Sequence, residues 1–355
     1  MSKVLIECSQ RMPKELWETT LKKGLGPLYE DLNIRWEMLK PTGAYQEAHY
    51  RNITEFVGSP EEMKDKIGDA EILIVGVAPV SDDVMDADPN LRIVFCPRGG
   101  PVNVDVEGAT QRGIMVVNAP GRNAEGVADQ TIGLLICEAR HLARAHCAVV
   151  SGTYEREFKA WRQFVPELAE KTLGLVGFGN VARKVAKRAK GFDMNILVYD
   201  PYISEDDVAE HGVRKVSMEE LLKNSDFVSV HVRLTEGTWH LIGEKEFLMM
   251  KKNAIFVNTS RGHVVDEKAL VQALREGRIA GAALDVVEEE PIQHHAENPL
   301  LKMNNVTITP HTAGVSDRVR ERGVMIAAGD LARYLRGERI QNLLNREELG
   351  ARVPA

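Results

Sequence analysis

Short apolar runs alternate along this chain with amphipathic stretches of helical length. Residues 3–8 (Lys-Val-Leu-Ile-Glu-Cys) read as a strand and Met12 to Lys23 as a helix. Glu71 to Val77 and Arg92 to Cys96 are apolar runs bounded by helical or turn patterns, which predicts a first, smaller α/β layer. Residues 40–60 carry Pro41, Gly43, Gly58 and Pro60 and read as a loop-rich connection. Asn118-Ala119-Pro120-Gly121 is a strong break. Helical periodicity with few breakers then runs from Ala124 to Val150, predicting one long helix. Trp161 to Leu168 leads into a new strand-like run beginning at Leu173. Beyond Asp200 the alternation continues, with strands at Asp226 to His231, Ala254 to Asn258, Ile279 to Val286 and Val306 to Thr309. Helices fall at Glu267 to Glu276, closed by Gly277, and at Asp317 to Leu335, with Gly337 as a C-terminal cap. Strands separated by helices indicate parallel sheets.

The segment Thr172 to Asp200 carries the sharpest signal. Leu173 to Val176 leads into Gly177-Phe178-Gly179-Asn180-Val181-Ala182, then a basic amphipathic stretch, then a second apolar run ending at Asp200. This order of strand, glycine turn, helix, strand and acid is what a dinucleotide site requires. Gly177 permits the tight turn and Gly179 lets the backbone approach a pyrophosphate. Ala182 is small enough for close helix–strand packing, and Asn180 and Val181 open a helix whose free N–H groups face the phosphates. Asp200 can accept both hydroxyls of a ribose and would repel a 2′-phosphate, so NAD is expected rather than NADP.

Composition narrows the class. A chain of 355 residues is expected to form two domains. Lys plus Arg number 45 against 52 Asp plus Glu, a net charge of −7 with no basic tail, so no nucleic-acid footprint is expected. Cys8, Cys96, Cys137 and Cys147 show no metal-ligand spacing and are expected to be free thiols in a reducing compartment. The N-terminus has too short an apolar run for a signal peptide and no segment is long enough to span a bilayer. A cytoplasmic protein with no metal and no membrane partner is expected.

Three stretches after the glycine turn place charged residues at strand ends: Val257-Asn258-Thr259-Ser260-Arg261-Gly262; Ala283-Leu284-Asp285-Val286, running on to Glu288-Glu289-Glu290-Pro291; and Thr309-Pro310-His311-Thr312-Ala313-Gly314. Carboxyl ends of parallel strands are where such sheets bind ligands. The acidic triplet reads as a solvated loop except for Glu290. With Asn118-Ala119-Pro120, the glycine turn and Asp200-Pro201-Tyr202, these stretches resemble the D-2-hydroxyacid dehydrogenase family from about Ile72 to the last helix. The first 60 residues match loosely.

The resemblance implies hydride transfer between NAD(H) and C2 of a 2-hydroxy or 2-keto acid, by two Rossmann-like or flavodoxin-like parallel-sheet domains. A discontinuous substrate domain (1–118 with 314–355) would accompany a nucleotide domain (119–313), with substrate in the cleft. It implies His311 as acid/base, suited by an ordinary pKa near 6.5. Glu290 would orient it, and Arg261 would grip the carboxylate. Thr259, His231 and Asp285 would join the cofactor site, Asp285 through the carboxamide. Gly99 and Gly100, with Arg98 beside them, match the family loop that receives the substrate carboxylate. The helical stretch from Ala124 matches the family's dimer element, so a homodimer is expected. Gly76 stands where phosphoglycerate dehydrogenases carry a phosphate-binding arginine, which argues against 3-phosphoglycerate unless Arg98 or Arg51 supplies the charge. His49, Tyr50 and Arg51 are further candidates for substrate contact. Arg233 replaces a family proline after His231 and is expected to face solvent. No C-terminal regulatory domain is expected, and Glu290 speaks against formate dehydrogenase activity. The alternatives are phosphoglycerate dehydrogenase itself and a non-enzymatic NAD-sensing scaffold.

Overall fold

The computed structural model describes residues 1–40, 48–153, 165–293 and 297–350. The chain divides into two compact units, residues 1–123 with 316–355 and residues 124–315. The expected boundaries, 118/119 and 313/314, fall five and two residues earlier (123 − 118 and 315 − 313).

The first unit holds strands β1 (Ser2–Cys8), β2 (Leu32–Met38), β5 (Ile72–Ile74), β6 (Ile93–Cys96) and β7 (Met115–Asn118) in the order β2-β1-β5-β6-β7, all parallel. Strands β5, β6 and β7, the last at the sheet edge, are buried along their whole length, because helices cover both faces of such a sheet. The helices Lys14–Leu25 and Val319–Leu335 lie on one face, where Trp17, Leu21, Val324 and Leu331 pack with Ile6, Ile74 and Phe95. No element was expected at Leu32–Met38. It is an edge strand whose apolar residues alternate with Asn33, Arg35 and Glu37, so it forms no continuous apolar run. Within the loop-rich stretch, β3 (His49–Tyr50) and β4 (Ile53–Thr54) form a small antiparallel pair. Residues 41–47 of that stretch, and 161–164 of the expected lead into the second sheet, lie outside the described residues.

The second unit is a seven-stranded parallel sheet. It contains β8 (Thr172–Val176), β9 (Asn195–Tyr199), β10 (Arg214–Lys215), β11 (Phe227–Val230), β12 (Ile255–Asn258), β13 (Gly281–Leu284) and β14 (Val306–Ile308). Their order is β10-β9-β8-β11-β12-β13-β14. Strand order reverses between β8 and β11, so a ligand crevice is expected outside the carboxyl ends of these two strands. The same reversal in the first unit falls between β1 and β5.

One expected helix is two. Ala124–Ala139 ends at a break, and Leu142–Val150 follows. His141 between them is left-handed, with φ +55°. The cause lies with Glu138, which is buried on the sheet side and accepts from Arg144 (2.7 Å) and the Thr307 hydroxyl (2.7 Å). In a continuous helix, six residues place Arg144 about 240° around the axis from Glu138, out of reach. The turn at His141 brings the guanidinium back to the carboxylate. The last long helix, Val319–Leu335, ends at Gly337 with φ +70°, as its sequence predicts.

Candidate active site

The glycine turn follows β8. Gly177 has φ +88°, and a Cβ there would come within 2.9 Å of Val232 Cγ1 and 3.0 Å of the His231 carbonyl. Only glycine fits, on both backbone and steric grounds. A Cβ on Gly179 would meet nothing within 4 Å, so the turn is open on the side where a ligand backbone would approach. The helix Asn180–Lys190 begins there with no side-chain cap, leaving its first N–H groups directed outward. Lys187, Arg188 and Lys190 occupy its last turn, the favourable end of the helix dipole. Ala182 is fully buried. Val181 is half-buried and Asn180 exposed. Asp200 Oδ2 accepts from the Phe178 N–H (2.9 Å) and Oδ1 from the Tyr202 N–H (2.9 Å), so the acid also fixes the turn it serves. An open glycine cradle, an uncapped helix start and an acid at the next strand end fit a dinucleotide such as NAD.

The loops after β12, β13 and β14 build a second cluster. Asn258, buried at the end of β12, accepts from Ser260 N (2.9 Å) and Oγ (2.8 Å) and donates to the Arg261 carbonyl (2.9 Å). This clamps the turn and presents Arg261 at the surface, where its guanidinium meets the Ser260 carbonyl (2.7 Å). Gly262 abuts the loop after β13: a Cβ would overlap the Val287 carbonyl and sit 2.6 Å from the Glu288 nitrogen. Glu288 is not a solvated member of an acidic run, contrary to expectation. It accepts from His240 Nε2 (2.8 Å) and from the Glu267 N–H (3.2 Å), while its own N–H donates to Glu267 Oε2 (3.0 Å). His240, Asp266 and Glu288 bring ligand atoms within 4.8 Å of one another, and these bonds and the helix cap made by Asp266 account for the grouping.

Glu290 Oε1 accepts from the Val287 N–H (2.8 Å), and Oε2 lies 2.6 Å from His311 Nδ1. His311 has φ +51° and a half-exposed side chain. The hydrogen bond to Glu290, and then its charge, raise the His311 pKa above the ordinary value against the opposing effects of burial and Arg261. Burial pushes the Glu290 carboxyl up, but its bonds to His311 and Val287 outweigh that and hold it below the ordinary carboxylate range. The pair therefore favours imidazolium beside carboxylate, with Arg261 close enough to act on both.

The remaining predicted residues are placed as follows. Asp285 is buried and surrounded by donors: Gln130 Nε2 (2.8 Å), Thr309 Oγ1 (2.5 Å), Thr312 N (3.0 Å) and Ala313 N (2.8 Å). The Thr259 hydroxyl is buried against Thr131 Oγ1 (2.8 Å). His231 bonds Ser229 Oγ through Nε2 (2.9 Å), and burial lowers its pKa to about 3, so it is neutral. Arg233 is exposed. In the first unit, a Cβ on Gly99 or Gly100 would meet nothing within 4 Å, and the Gly99 carbonyl is held by Asn118 Nδ2 (2.9 Å). Arg98 is half-buried and bonds Glu55 (2.6 Å) and Asn103 (3.1 Å), and Arg51 pairs with Asp82 (2.5 Å), so both carry their charge toward a carboxylate. Tyr50 donates to Asp83 (3.1 Å).

Sequence reasoning quoted Asn258 and Gly262 in a motif without giving them roles, and it missed Gln130 and Glu7. Gln130 is a polar position within the buried stripe Val127, Ala128, Thr131, Ile132, the one signal that marks it. Glu7 is an acid inside the apolar run of β1. It is buried, and its Oε2 accepts from the N–H groups of Gly76 (2.8 Å) and Val77 (3.0 Å).

Residues 132–313 match the model for the D-isomer specific 2-hydroxyacid dehydrogenase, NAD binding domain. A glyoxylate reductase of Korarchaeum cryptofilum is 44% identical over 291 residues, 82% of this chain and 87% of that protein. A D-3-phosphoglycerate dehydrogenase of Methanocaldococcus jannaschii is 42% identical over 302 residues, 83% of this chain and 56% of that protein. The apo D-mandelate dehydrogenase of Rhodotorula graminis superposes with a TM-score of 0.80 at 24% identity, covering 97% of this chain and 98% of that one, a likeness of fold.

The chain belongs to the D-isomer-specific 2-hydroxyacid dehydrogenase family. It is an NAD-dependent oxidoreductase that transfers hydride between the nicotinamide and C2 of 2-hydroxy or 2-keto acids. The two parallel sheets are the architecture expected from its sequence, and the scaffold alternative falls.

Proposed function

We propose that this enzyme reduces a small, unphosphorylated 2-keto acid of the glyoxylate or hydroxypyruvate type, with His311 as acid/base, Glu290 as its partner and Arg261 as the carboxylate grip. The observation that carries the roles is the 2.6 Å contact of Glu290 with His311 beside Arg261. In reduction, NADH supplies the hydride to C2. His311, held protonated by Glu290, gives its proton to the C2 oxygen as charge develops there. Arg261 offers parallel donors to the carboxylate and keeps C2 in one orientation. Gly177, Gly179, Asn180 and Val181 receive the pyrophosphate and Asp200 the ribose. Asp285 would border the nicotinamide carboxamide, Thr259 would join the cofactor site, His231 would open the loop beside the adenosine, and Gly99 and Gly100 would receive the substrate carboxylate. Domain roles follow: residues 1–123 with 316–355 bind substrate, and 124–315 the cofactor.

Gly76 supports the substrate class. Its N–H is held by the buried Glu7 carboxyl, so this strand end carries an acid where a phosphate would need a base. Arg98 and Arg51, each paired with a carboxylate, leave no compensating charge in that reading. The name of the Korarchaeum relative points the same way. The test is NADH oxidation with glyoxylate, hydroxypyruvate, longer 2-keto acids and 3-phosphohydroxypyruvate. Turnover of the first two well above the last is expected; preference for the phosphorylated substrate refutes the class, and no turnover of any keto acid refutes the function.

A homodimer is proposed through the helix Leu142–Val150, which exposes Leu142, Val149 and Val150 at 52, 49 and 73%. Light scattering showing a monomer would refute it. No helix among the described residues is long and apolar enough to cross a membrane. A cytoplasmic location, supported by four free cysteines, is tested by cell fractionation.

A further inference from the structure

We propose that Gln130 is a positioning residue for His311: reaching from the helix Ala124–Ala139, its side-chain amide fixes the Asp285 carboxylate and the hydroxyls of Thr309 and Thr312 in the frame that holds the His311 backbone. The proposal rests on the reading of His311 as the acid/base. Gln130 Nε2 lies 2.8 Å from Asp285 Oδ1, 3.0 Å from Thr309 Oγ1 and 3.2 Å from Thr312 Oγ1. One amide group thus ties a helix to the ends of β13 and β14.

Asp285 grips the His311 segment from both sides. Its carbonyl accepts from the His311 N–H (2.9 Å), and its carboxylate from the N–H groups of Thr312 (3.0 Å) and Ala313 (2.8 Å). These bonds hold His311 at φ +51°, a conformation that is strained for a side-chain-bearing residue and persists only where its surroundings enforce it. A buried carboxylate stays charged and fixed only while donors satisfy it. Gln130 supplies one of the four donors to Asp285 and organises two of the threonines around it. Its loss leaves Asp285 with three donors and the Thr312 hydroxyl without its Gln130 bond, and the frame then tolerates other His311 conformations.

The charged groups acting on the His311 ring are Glu290 from the loop after β13, Arg261 from the loop after β12 and Asp285 at the end of β13. The acids of the helix Ala124–Ala139 have other partners: Glu125 and Asp129 pair with Arg188, and Glu138 with Arg144. Gln130 therefore reaches His311 through geometry, by keeping Nδ1 at 2.6 Å from Glu290. A looser frame lengthens that bond and lets the imidazole titrate lower.

The experiment uses the full-length enzyme with Gln130→Leu, which removes the donor, and Gln130→Asn, which keeps an amide but withdraws it by about 1.5 Å. Two readouts are taken. The first is the NMR titration of the His311 ring proton without ligands, assigned by its absence in His311→Ala. The second is kcat, KM and NADH affinity with the best keto acid. In both variants the His311 midpoint moves down and kcat falls on the order of tenfold. KM and NADH affinity hold within about twofold, because Arg261 and the glycine turn are untouched. Wild-type kcat and titration overturn the proposal. So does a loss of kcat matched by a loss of folded protein with an unmoved titration, the mark of a merely structural residue. If Gln130→Leu does not fold, Thr312→Val removes a Gln130 partner from the loop side, and an unmoved titration there overturns it equally. Should His311→Ala keep full kcat, the acid/base reading fails, while the titration still decides whether Gln130 positions the ring.

Discussion

Gly262→Ala adds a single methyl group, and the structure says where it goes. The backbone there is open to any residue, so the effect is steric. A carbon needs about 3.5 Å from a neighbouring heavy atom. The Glu288 nitrogen, 2.6 Å from a Cβ on Gly262, would have to retreat by about 0.9 Å, and the overlapping Val287 carbonyl by more. Neither can retreat freely: Glu288 is bonded to His240 and Glu267, and the Val287 N–H to Glu290. Overpacking of this kind costs about 1–3 kcal/mol. The lower chain entropy of alanine returns about 0.4–1 kcal/mol. A fall in melting temperature of a few degrees is expected, at about 2–4 °C per kcal/mol for a unit of this size. The functional effect is larger, because Arg261 precedes the glycine and Glu290 follows the displaced loop. Separation of these groups by about 1 Å is expected to cost on the order of 100-fold in kcat/KM. The assay is NADH oxidation with the preferred keto acid alongside calorimetry. Wild-type kcat/KM with a melting temperature within about 1 °C would falsify the argument that the two loops are in fixed contact.

Three further outcomes are expected. In Glu290→Gln the His311 pKa loses its main upward cause. Keto-acid reduction needs the imidazolium and declines as pH rises through that pKa, so the decline should begin at lower pH than in the wild type; an unmoved profile of kcat/KM refutes the pairing. Asp200→Asn should weaken NADH binding about tenfold, or about 1.4 kcal/mol, and narrow the preference over NADPH, since the charge facing the ribose is gone and the one remaining amide oxygen can keep only one of the bonds from Phe178 and Tyr202; unchanged selectivity sinks it. Burial raises the Glu7 pKa in the folded state. The unfolded chain ionises first, so the stability from neutral Glu7 is full below the ordinary glutamate pKa and is lost as pH rises through the folded value. Glu7→Gln should remove that part of the decline in melting temperature with pH, and parallel curves for the two proteins would count against it.

Much of this molecule is written locally. The turn at Gly177, the helix Asn180–Lys190 and the acid at Asp200 follow from neighbouring residues: a positive φ, a free helix start and a strand end are short-range properties. The apolar runs likewise marked most strands, because parallel strands buried on both faces cannot hide their composition. Signals failed where burial is partial or partners are distant. The edge strand Leu32–Met38 faces solvent along much of its length, and the long helix breaks where Arg144 returns to a Glu138 buried against Thr307, 169 residues away. The sequence supplied Arg261, Glu290 and His311 as residue types at strand ends. Only the tertiary structure decided that Glu290 meets His311, that Asp285 is enclosed by four donors, that Gln130 joins them and that Gly262 has no room for a methyl. Each of these depends on which strands are neighbours. Register between β12, β13 and β14 is set by packing over the whole sheet, and no local pattern contains it.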